Sequence, residues 1–330
     1  MNNNTRKTIL SGMRPTGKLH LGHWTGALEN WVALQESYNN YHLVADYHAL
    51  TTNLDTSELY QNTIDMVIDW LAAGIDPERS PVFRQSQVKE HTELHLIFSM
   101  LITKARLERN PSVKDQVRDL NIENIIYGHL GYPVLQAADI LLYRGDLVPV
   151  GEDQLSHVEI TREIARRFNT AWGDVFPEPQ PKLTKFARLP GLDGKDRKMS
   201  KSMNNTILMS DDEDTVMQKL RKAPTDVEKV RRNDPGRPDV CLVFTYHEKF
   251  NPADIPEIRE GCESGALGCV DCKKRCATAV NTFLAPHIER RRKYEEHPTL
   301  VDDILRDGED RARETAAETM TAVRNAMKLG

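Results

Sequence analysis

Residues 11–23, SGMRPTGKLHLGH, constrain the fold of this chain more than any other stretch of its sequence. An apolar run at residues 8–10 precedes them and predicts a short buried strand. The residues that follow, WTGALENWVALQ, carry apolar side chains at helical spacing. The stretch therefore predicts a turn from a strand into a helix, with the helix beginning in HLGH. Such a turn directs backbone N–H groups and the positive end of a helix dipole towards an anion.

Two histidines and three glycines make this turn a candidate phosphate site. His20 and His23 are three positions apart, so they share one face of a first helical turn. Gly12, Gly17 and Gly22 lack side chains where a ligand would contact the backbone. We interpret the stretch as a cradle for nucleotide phosphates. Taken alone, it is equally consistent with a glycine-rich turn that carries two surface histidines.

A second motif, KMSKS at residues 198–202, lies in the polar segment GLDGKDRKMSKSMNN. Lys198 and Lys201 on a mobile loop can follow a leaving polyphosphate while its charge develops. The alternative is a solvated basic loop. HLGH followed by KMSKS resembles the signature pair of class I aminoacyl-tRNA synthetases, and this resemblance implies ATP-dependent activation of an amino acid.

The composition is typical of a soluble cytosolic globular protein. The chain has 330 residues, a length sufficient for one large or two modest domains. Apolar residues make up 39% of it and charged residues 28%. No apolar run approaches about 18 residues, and residues 1–8 lack the apolar core of a signal peptide, so we expect a cytoplasmic protein without membrane contact. The net charge of −5 restricts any tRNA contact to local basic patches. Candidate patches are residues 231–232 and 290–293, although solvated surface is the simpler explanation of each.

The order of elements predicts an α/β fold. Residues 41–46 and 81–83 favour second and third strands, with a helical stripe over residues 56–73 between them. Residues 147–150 favour another strand. This alternation predicts a Rossmann-like, doubly wound parallel sheet that binds ligands at the carboxyl ends of its strands.

The second half of the chain predicts a helical domain. A Pro-rich stretch at residues 176–183 marks a boundary, and helical patterns cover residues 211–221, 272–294 and 300–327. We therefore expect a catalytic domain over residues 1–185, the KMSKS loop and linker over 186–205, and a helical C-terminal domain over 206–330. By the resemblance, that domain recognises the anticodon and its last helix packs near the catalytic domain.

An apolar helix predicted over residues 132–142 carries three polar groups on one face. Tyr132, Gln136 and Asp139 are spaced i, i+4, i+7, and Pro133 suits a first helical turn. A buried carboxylate needs a hydrogen-bond donor, supplied either by a ligand or by an internal network with Tyr132. The stretch resembles the amino-acid pocket helix of tryptophanyl- and tyrosyl-tRNA synthetases.

The segment VPVGEDQ, residues 148–154, resembles the bacterial tryptophanyl enzymes more than the tyrosyl ones. Gly151 permits close approach of a ligand, and Asp153 can cap the following helix or accept ribose hydroxyls. Gln136 departs from the pattern, because many bacterial tryptophan enzymes have Met there and tyrosine enzymes have Gln. Tyrosine therefore remains the alternative substrate. A non-synthetase nucleotidyltransferase of the H-x-G-H type and a non-catalytic Fe–S or RNA-binding protein are further alternatives.

The resemblance assigns roles to individual residues. His20 and His23 would contact the α- and β-phosphate region, Lys198 and Lys201 the leaving pyrophosphate, and Asp139 the indole N–H, with Mg²⁺ arriving on ATP. Partners would be tRNA(Trp) and a second copy of the chain. The implied tryptophan contacts are Asp139, Gln136, Tyr132 and His48. The implied ATP contacts are Arg14, Pro15, Thr16, Gly22, His23, Gly151, Glu152, Asp153, Leu189, Lys198, Met199, Ser200, Lys201 and Ser202.

All five cysteines lie in the second half of the chain. Cys241, Cys262, Cys269 and Cys272 have the spacing C-x20-C-x6-C-x2-C, and Cys276 follows one turn later. Clustered cysteines in a cytosolic chain favour a metal over disulfides, and four thiolates suit either zinc or a [4Fe–4S] cluster. Buried reduced thiols are the alternative. The segment GCVDCKK resembles a subset of bacterial tryptophanyl enzymes that carry a [4Fe–4S] cluster.

Overall fold

A computed structural model of the chain describes residues 6–119, 122–151, 154–183 and 189–329. Its centre is a five-stranded sheet in the order β3-β2-β1-β4-β5. The strands are β1 (Thr8–Met13), β2 (Asn39–Val44), β3 (Val82–Arg84), β4 (Leu147–Val150) and β5 (Gln180–Leu183). Every paired strand is parallel to its neighbour. The predicted doubly wound parallel sheet is confirmed.

Helices cover both faces of the sheet. The N-terminal ones are α1 (Leu21–His23), a π-helical segment (Trp24–Leu28), α2 (Glu29–Leu34), α3 (Asp46–Leu50) and α4 (Leu59–Ala73). The middle ones are α5 (Glu90–Ser99), α6 (Lys104–Glu108), α7 (Pro111–Asp119), α8 (Tyr127–Leu142) and α9 (Leu155–Trp172). The C-terminal ones are α10 (Glu213–Lys222), α11 (Leu242–Phe250), α12 (Ile255–Glu263), α13 (Cys269–Glu296) and α14 (Pro298–Met327). In the described parts of the chain, none of these helices is both long and apolar enough to span a membrane.

Neighbouring residues of the central strands enter two separate apolar cores. Leu43 and Phe83 pack with α5, α8 and α9, whereas Val44 and Val82 pack with α4 and the C-terminal helices. A strand that is buried on both faces in this way reads as a continuous apolar run, which is why the strands were visible in the sequence.

Several predicted elements differ from the structure. Residues 46–50 form α3 and not the end of a strand and a loop. Helix α8 begins at Tyr127, so Pro133 lies inside it and not in its first turn. The Pro-rich stretch contains the edge strand β5, where a Pro that cannot donate a ladder hydrogen bond is tolerated. Helices α11 and α12 were not predicted.

The last helix, α14, packs on the sheet edge formed by β3. A Cβ at Gly308 would overlap the backbone carbonyl of Val82, so the two backbones touch. Beside this contact, Arg84 donates to the buried carboxylate of Glu309 at 2.6 Å. Tyr41 of β2 shares a hydrogen bond with Thr315 at 3.0 Å. The C-terminus of the described chain is thereby attached to the N-terminal sheet.

Candidate active site

A large cavity lies where the strand order reverses, between the carboxyl ends of β1 and β4. It has a volume of about 940 Å³ and is lined by residues from both strand ends, including Met13 and Gly151. The crevice at such a reversal is the usual ligand site of doubly wound sheets. The HLGH turn, helix α8 and the KMSKS loop all contribute to its wall.

The two motif histidines lie together in this wall. Their ring centroids are 3.8 Å apart, and His20 is 7% exposed. The backbone N–H of His20 donates to Nδ1 of His23 at 3.2 Å, and the N–H of Leu21 donates to the Ile207 carbonyl at 3.0 Å. Both amides already have partners within the protein, so they are not free to bind an anion. The turn therefore offers fewer backbone donors than the sequence predicted. The imidazoles remain as the polar groups of the turn.

Both imidazoles are neutral at pH 7. Burial, followed by the charges of Lys201 and Lys198, lowers the pKa of His20 to about 4. Burial, followed by His20 and the same lysines, lowers the pKa of His23 to about 3. Because Nδ1 of a neutral His23 accepts a hydrogen bond, its proton resides on Nε2. His23 therefore presents an N–H donor and not a positive charge.

The KMSKS loop closes over the HLGH turn. Met199 is 3% exposed and lies so close to Gly22 that a Cβ there would be 3.3 Å from its sulfur. Nζ of Lys201 donates to the carbonyl oxygens of Thr16 and Lys18, the latter at 2.8 Å. Lys198 lines the cavity itself, whereas Lys201 is bonded to the segment that precedes HLGH.

Asn205 braces this loop from beneath. Its Oδ1 accepts the backbone N–H of Ser200 at 2.7 Å, and its Nδ2 donates to the Lys198 carbonyl at 2.9 Å and to Asp193 at 2.7 Å. The side chain is buried and sits directly against Gly191, where a Cβ would collide with it. The sequence analysis did not single out Asn205, although the Asn pair after KMSKS was visible.

Asp139 is the charged centre of the other end of the cavity. It is 3% exposed, and its Oδ1 accepts from Gln85 and His91, both at 2.7 Å. Its Oδ2 accepts from His48 at 2.9 Å. Burial by itself would raise the pKa of Asp139, but the hydrogen bonds from the two histidines hold it well below its usual range. The carboxylate is therefore ionised, with one acceptor site of Oδ2 left over.

The internal network predicted around Asp139 exists, but its partners were predicted wrongly. The hydroxyl of Tyr132 bonds to Nε2 of His157 at 3.0 Å and not to the carboxylate. Gln85 follows strand β3 and His91 lies on α5. The rule that polar residues after parallel strands reach the ligand site would have identified Gln85 from sequence. For His91 the sequence carries no comparable signal.

Most of the predicted site residues meet in this one cavity. It is lined by His20, His23, Lys198, Arg14, Gly22, Gly151, Leu189, Met199, Asp139, Gln136, Tyr132 and His48. The cavity is not lined by Pro15, Thr16, Ser200, Lys201 or Ser202, although Lys201 contacts Thr16 and Lys18, which lie between the lining residues Arg14 and His20. Glu152 and Asp153 lie outside the described residues. Gln116 of α7 lines the cavity and was not predicted.

One residue of the candidate basic patch at residues 290–293 is buried, whereas Arg290, Arg292 and Lys293 are exposed. Arg291 is 2% exposed, and its guanidinium donates to Asp69 of α4 at 2.5 Å. Arg290 donates to the Ala72 carbonyl at 2.5 Å. In the other patch, Arg232 is exposed and pairs with Asp271 at 3.5 Å. Neither the tRNA interpretation nor the solvated alternative fits Arg291.

The cysteines gather at one end of the helical region as free thiols. Cys241 precedes α11, Cys262 lies on α12, and Cys269 and Cys272 begin α13. Burial, followed by the neighbouring Cys241, Cys262 and Cys269, raises the pKa of Cys272 to about 12. Among the residues that the structure describes, no three His, Cys, Asp or Glu side chains are arranged to hold a metal ion. The predicted metal site is therefore not confirmed.

Comparison with known proteins agrees with this geometry. The family model described as "tRNA synthetases class I (W and Y)" matches residues 1–285. Together, the parallel sheet, the cavity at the strand-order reversal and the two motifs around it define a class I aminoacyl-tRNA synthetase.

Relatives narrow the class to one amino acid. The chain is 52% identical to the tryptophan–tRNA ligase of Thermotoga maritima, over 97% of this chain and 99% of that protein. It is 42% identical to the corresponding ligase of Aquifex aeolicus, with 97% and 99% covered. The chain therefore belongs to the bacterial tryptophan–tRNA ligases, which are ATP-dependent aminoacyl-tRNA synthetases.

A solved structure supports the same assignment. The tryptophanyl-tRNA synthetase of Campylobacter jejuni, complexed with ADP and tryptophan, has a TM-score of 0.88 and 34% identity, covering 98% of this chain and 100% of its own. The prediction of a tryptophanyl rather than a tyrosyl enzyme is thus confirmed.

Proposed function

We propose that this chain forms tryptophanyl-adenylate and then transfers tryptophan to tRNA(Trp), with both steps centred on the cavity between β1 and β4. In the first step a carboxylate oxygen of tryptophan attacks the α-phosphorus of ATP, and pyrophosphate leaves with Mg²⁺. In the second, a hydroxyl of the terminal ribose attacks the acyl carbonyl, and AMP leaves. The observation that carries this proposal is that HLGH, KMSKS and Asp139 meet around one cavity.

The protein's part is positioning and charge stabilisation rather than covalent chemistry. Neutral His23 offers its Nε2–H to a phosphate oxygen, and His20 lies beside it. Lys198 and Lys201 balance the negative charge that grows on the leaving pyrophosphate. Mg²⁺ is carried by the nucleotide and needs no dedicated cage of protein ligands.

Asp139 selects the amino acid. Its Oδ1 is occupied by two donors, whereas Oδ2 accepts only from His48 within the described residues. We assign the remaining acceptor site of Oδ2 to the indole N–H. Gln136 and Tyr132 lie on the same helix and border the ring. A site of this kind rejects analogues that lack the donor, because its own buried polar group is then unpaired.

Amino-acid-dependent exchange of pyrophosphate into ATP tests the reaction and the substrate together. Tryptophan should support exchange, and tyrosine should not. Exchange with tyrosine alone would overturn the tryptophan assignment but not the synthetase. If no amino acid supports exchange, the proposed synthetase activity is refuted.

Lys201→Ala tests the role of the KMSKS loop. Loss of a preorganised contact to the transition state should slow adenylate formation by roughly 10²–10³-fold and leave tryptophan binding nearly unchanged. Single-turnover adenylate formation and equilibrium binding of tryptophan measure the two effects separately. A variant with wild-type adenylation would exclude Lys201 from the mechanism.

We also propose that the four cysteines bind a [4Fe–4S] cluster, with zinc as the alternative metal. Support comes from the chemistry of four neighbouring thiols at the start of α11, on α12 and at the start of α13, none of which lines the catalytic cavity. The role would be structural or related to tRNA. Anaerobically purified protein should contain about four irons and absorb broadly in the visible range. If the protein contains zinc and no iron, the cysteines form a zinc site and not a cluster. If it contains no metal, the cysteines are buried reduced thiols.

We further propose that the protein is a homodimer and that it aminoacylates its tRNA in the cytoplasm. Leu96 and Met100 near the end of α5, and Ile126 and Tyr127 at the start of α8, are 58%, 72%, 54% and 70% exposed. Large apolar side chains of this kind favour a protein interface. Sedimentation equilibrium should give twice the chain mass, and Met100→Lys with Tyr127→Lys should shift the protein to a monomer.

A further inference from the structure

The buried carboxylate of Asp69 contacts the catalytic turn on one side and the helical region on the other. Asp69 lies on α4 and is completely buried. Its Oδ2 accepts the backbone N–H of Leu19 at 2.6 Å, and Leu19 directly precedes His20. Its Oδ1 accepts from Nη1 of Arg291 at 2.5 Å and from Nε2 of His287 at 3.1 Å.

Both partners on α13 are themselves buried. His287 is 4% exposed and Arg291 is 2% exposed. Arg291 also reaches Asp65 at 3.4 Å and Glu295 at 2.8 Å, so its guanidinium is held on three sides. Separating a buried charge pair of this kind is costly, since either partner would be left as an uncompensated buried charge. The position of α13 relative to α4 is therefore tightly defined at Asp69.

The segment before His20 is also held by contacts outside Asp69. The carbonyl of Leu19 accepts from the N–H of Met209 at 2.8 Å, and its N–H has Asp69 as its partner. Immediately upstream, Gly17 adopts φ +77° against Asn62, and Thr16 and Lys18 offer their carbonyls to Lys201. Helix α4 thus supports the backbone that sets both His20 and the KMSKS lysine.

We infer that Asp69 is a positioning residue that couples helix α13 of the helical region to the HLGH turn of the active site. The inference rests on the proposed role of His20 and His23 at the phosphates. A displacement of α13 moves Arg291 and His287, and the carboxylate transmits the movement to the Leu19 amide. Asp65 is the natural comparison, because it shares Arg291 but does not contact Leu19.

Asp69→Asn breaks one of the two links, because an amide has one oxygen and must place its NH2 group against a donor. We expect kcat of tryptophan-dependent pyrophosphate exchange to fall by roughly 10-fold to 10²-fold, as for a small misplacement of a catalytic group. The KM for tryptophan should stay within about twofold, because the amino-acid end of the cavity is built by α8 and not by α4. The matched control, Asp65→Asn, should lower kcat by less than about threefold.

His287→Gln and Arg291→Lys extend the test if Asp69→Asn does not fold. Both leave the contact between the carboxylate and Leu19 in place and loosen only the side of α13. Each should lower kcat in the same direction by a smaller factor, with an unchanged KM. Wild-type kcat in the Asp69 variant, or in both of these variants if it is unfolded, would overturn the inference. So would equal effects of Asp65→Asn and Asp69→Asn. Failure of the proposed function would appear differently, as wild-type protein without exchange or as His20 and His23 variants with normal rates.

Discussion

In the proposed mechanism, the two adjacent imidazoles of His20 and His23 contact the phosphates as neutral groups. Burial and the two KMSKS lysines lower the pKa of His20 to about 4 and that of His23 to about 3. A pair of imidazolium ions 3.8 Å apart beside two ammonium groups would repel strongly. Neutral imidazoles avoid this repulsion and still offer N–H donors. In the proposed mechanism, Lys198 and Lys201 are then the cationic groups that contact the leaving pyrophosphate.

This arrangement predicts a specific acid sensitivity of the fold. An unfolded histidine binds a proton below about pH 6.5, whereas folded His23 stays neutral until about pH 3. Between these values the unfolded state holds the extra proton, so the free energy of unfolding falls as the pH falls, by up to about 1.4 kcal/mol per pH unit. His23→Asn should lose less stability than the wild type between pH 7 and 4.5. Urea unfolding across this range measures the difference, and parallel curves would contradict the shifted pKa.

A second residue prediction concerns the selection of the amino acid by Asp139. In the wild type, donors surround both oxygens of the Asp139 carboxylate. In Asp139→Asn, the NH2 group of the amide must face at least one of these donors, so a hydrogen bond is lost. The kcat/KM for tryptophan should fall by an amount equivalent to about 1–3 kcal/mol. The informative control is the benzothiophene analogue of tryptophan, which lacks the indole N–H. The wild type should discriminate against the analogue and the variant should not. Equal discrimination by both proteins would remove Asp139 from indole recognition.

The buried side chain of Asn205 holds the backbone of the KMSKS loop. Asn205 bonds to the backbone at Ser200 and Lys198, so it fixes the loop on both sides of Met199. Met199 in turn packs on Gly22 of the HLGH turn. The conformation of the loop and the position of the motif histidines are therefore linked through direct contacts.

Asn205→Ala should release this loop. It leaves the Ser200 amide and the Lys198 carbonyl without their buried partner, at a cost of about 1–3 kcal/mol. We expect pyrophosphate exchange to slow by about tenfold or more, corresponding to that energy, while tryptophan binding is retained. Asn204→Gly is the matched control, since Asn204 is exposed and adopts φ 50°, which glycine accepts freely. A loss of activity in the control as large as in Asn205→Ala would refute the bracing role.

At the scale of the whole molecule, helix α14 packs against the N-terminal part of the sheet. Helix α14 covers the edge strand β3, which would otherwise expose unpaired backbone groups. Its side chains Ala312, Ala316 and Met320 enter the same apolar core as α5 and α8. The two halves therefore share cores and are not independent globules.

Gly308→Ala tests this closure. The added methyl group would overlap the Val82 carbonyl, so α14 must shift and the free energy of unfolding should fall by about 1–3 kcal/mol or more. Gly128→Ala in α8 is the control, because its Cβ would meet no atom within 4 Å. There the helix propensity of alanine should stabilise the protein by about 0.5–1 kcal/mol. Urea unfolding of both variants checks the opposite signs, and an unchanged Gly308→Ala would disprove the close packing of α14.

The sequence by itself determined the elements whose cause is local. Apolar runs and helical spacing identified β1, β4, α4, α13 and α14, because burial on a sheet or a helix face imposes a short period on the chain. The two motifs together predicted one end of the cavity, and the structure brings HLGH and residues of KMSKS to the same wall. The tendency of parallel strands to bind ligands at their carboxyl ends then located the site.

Tertiary structure alone decided which polar groups are partners. His48 and Asp139 are 91 positions apart in the chain, and Asp69 and Arg291 are 222 positions apart. In the sequence, Arg291 belongs to a run of four basic residues that is typical of a surface, yet it is buried because a carboxylate on α4 compensates its charge. A local pattern reports whether a side chain is charged. Only the packing of distant elements provides the counter-charge that allows it to be inside.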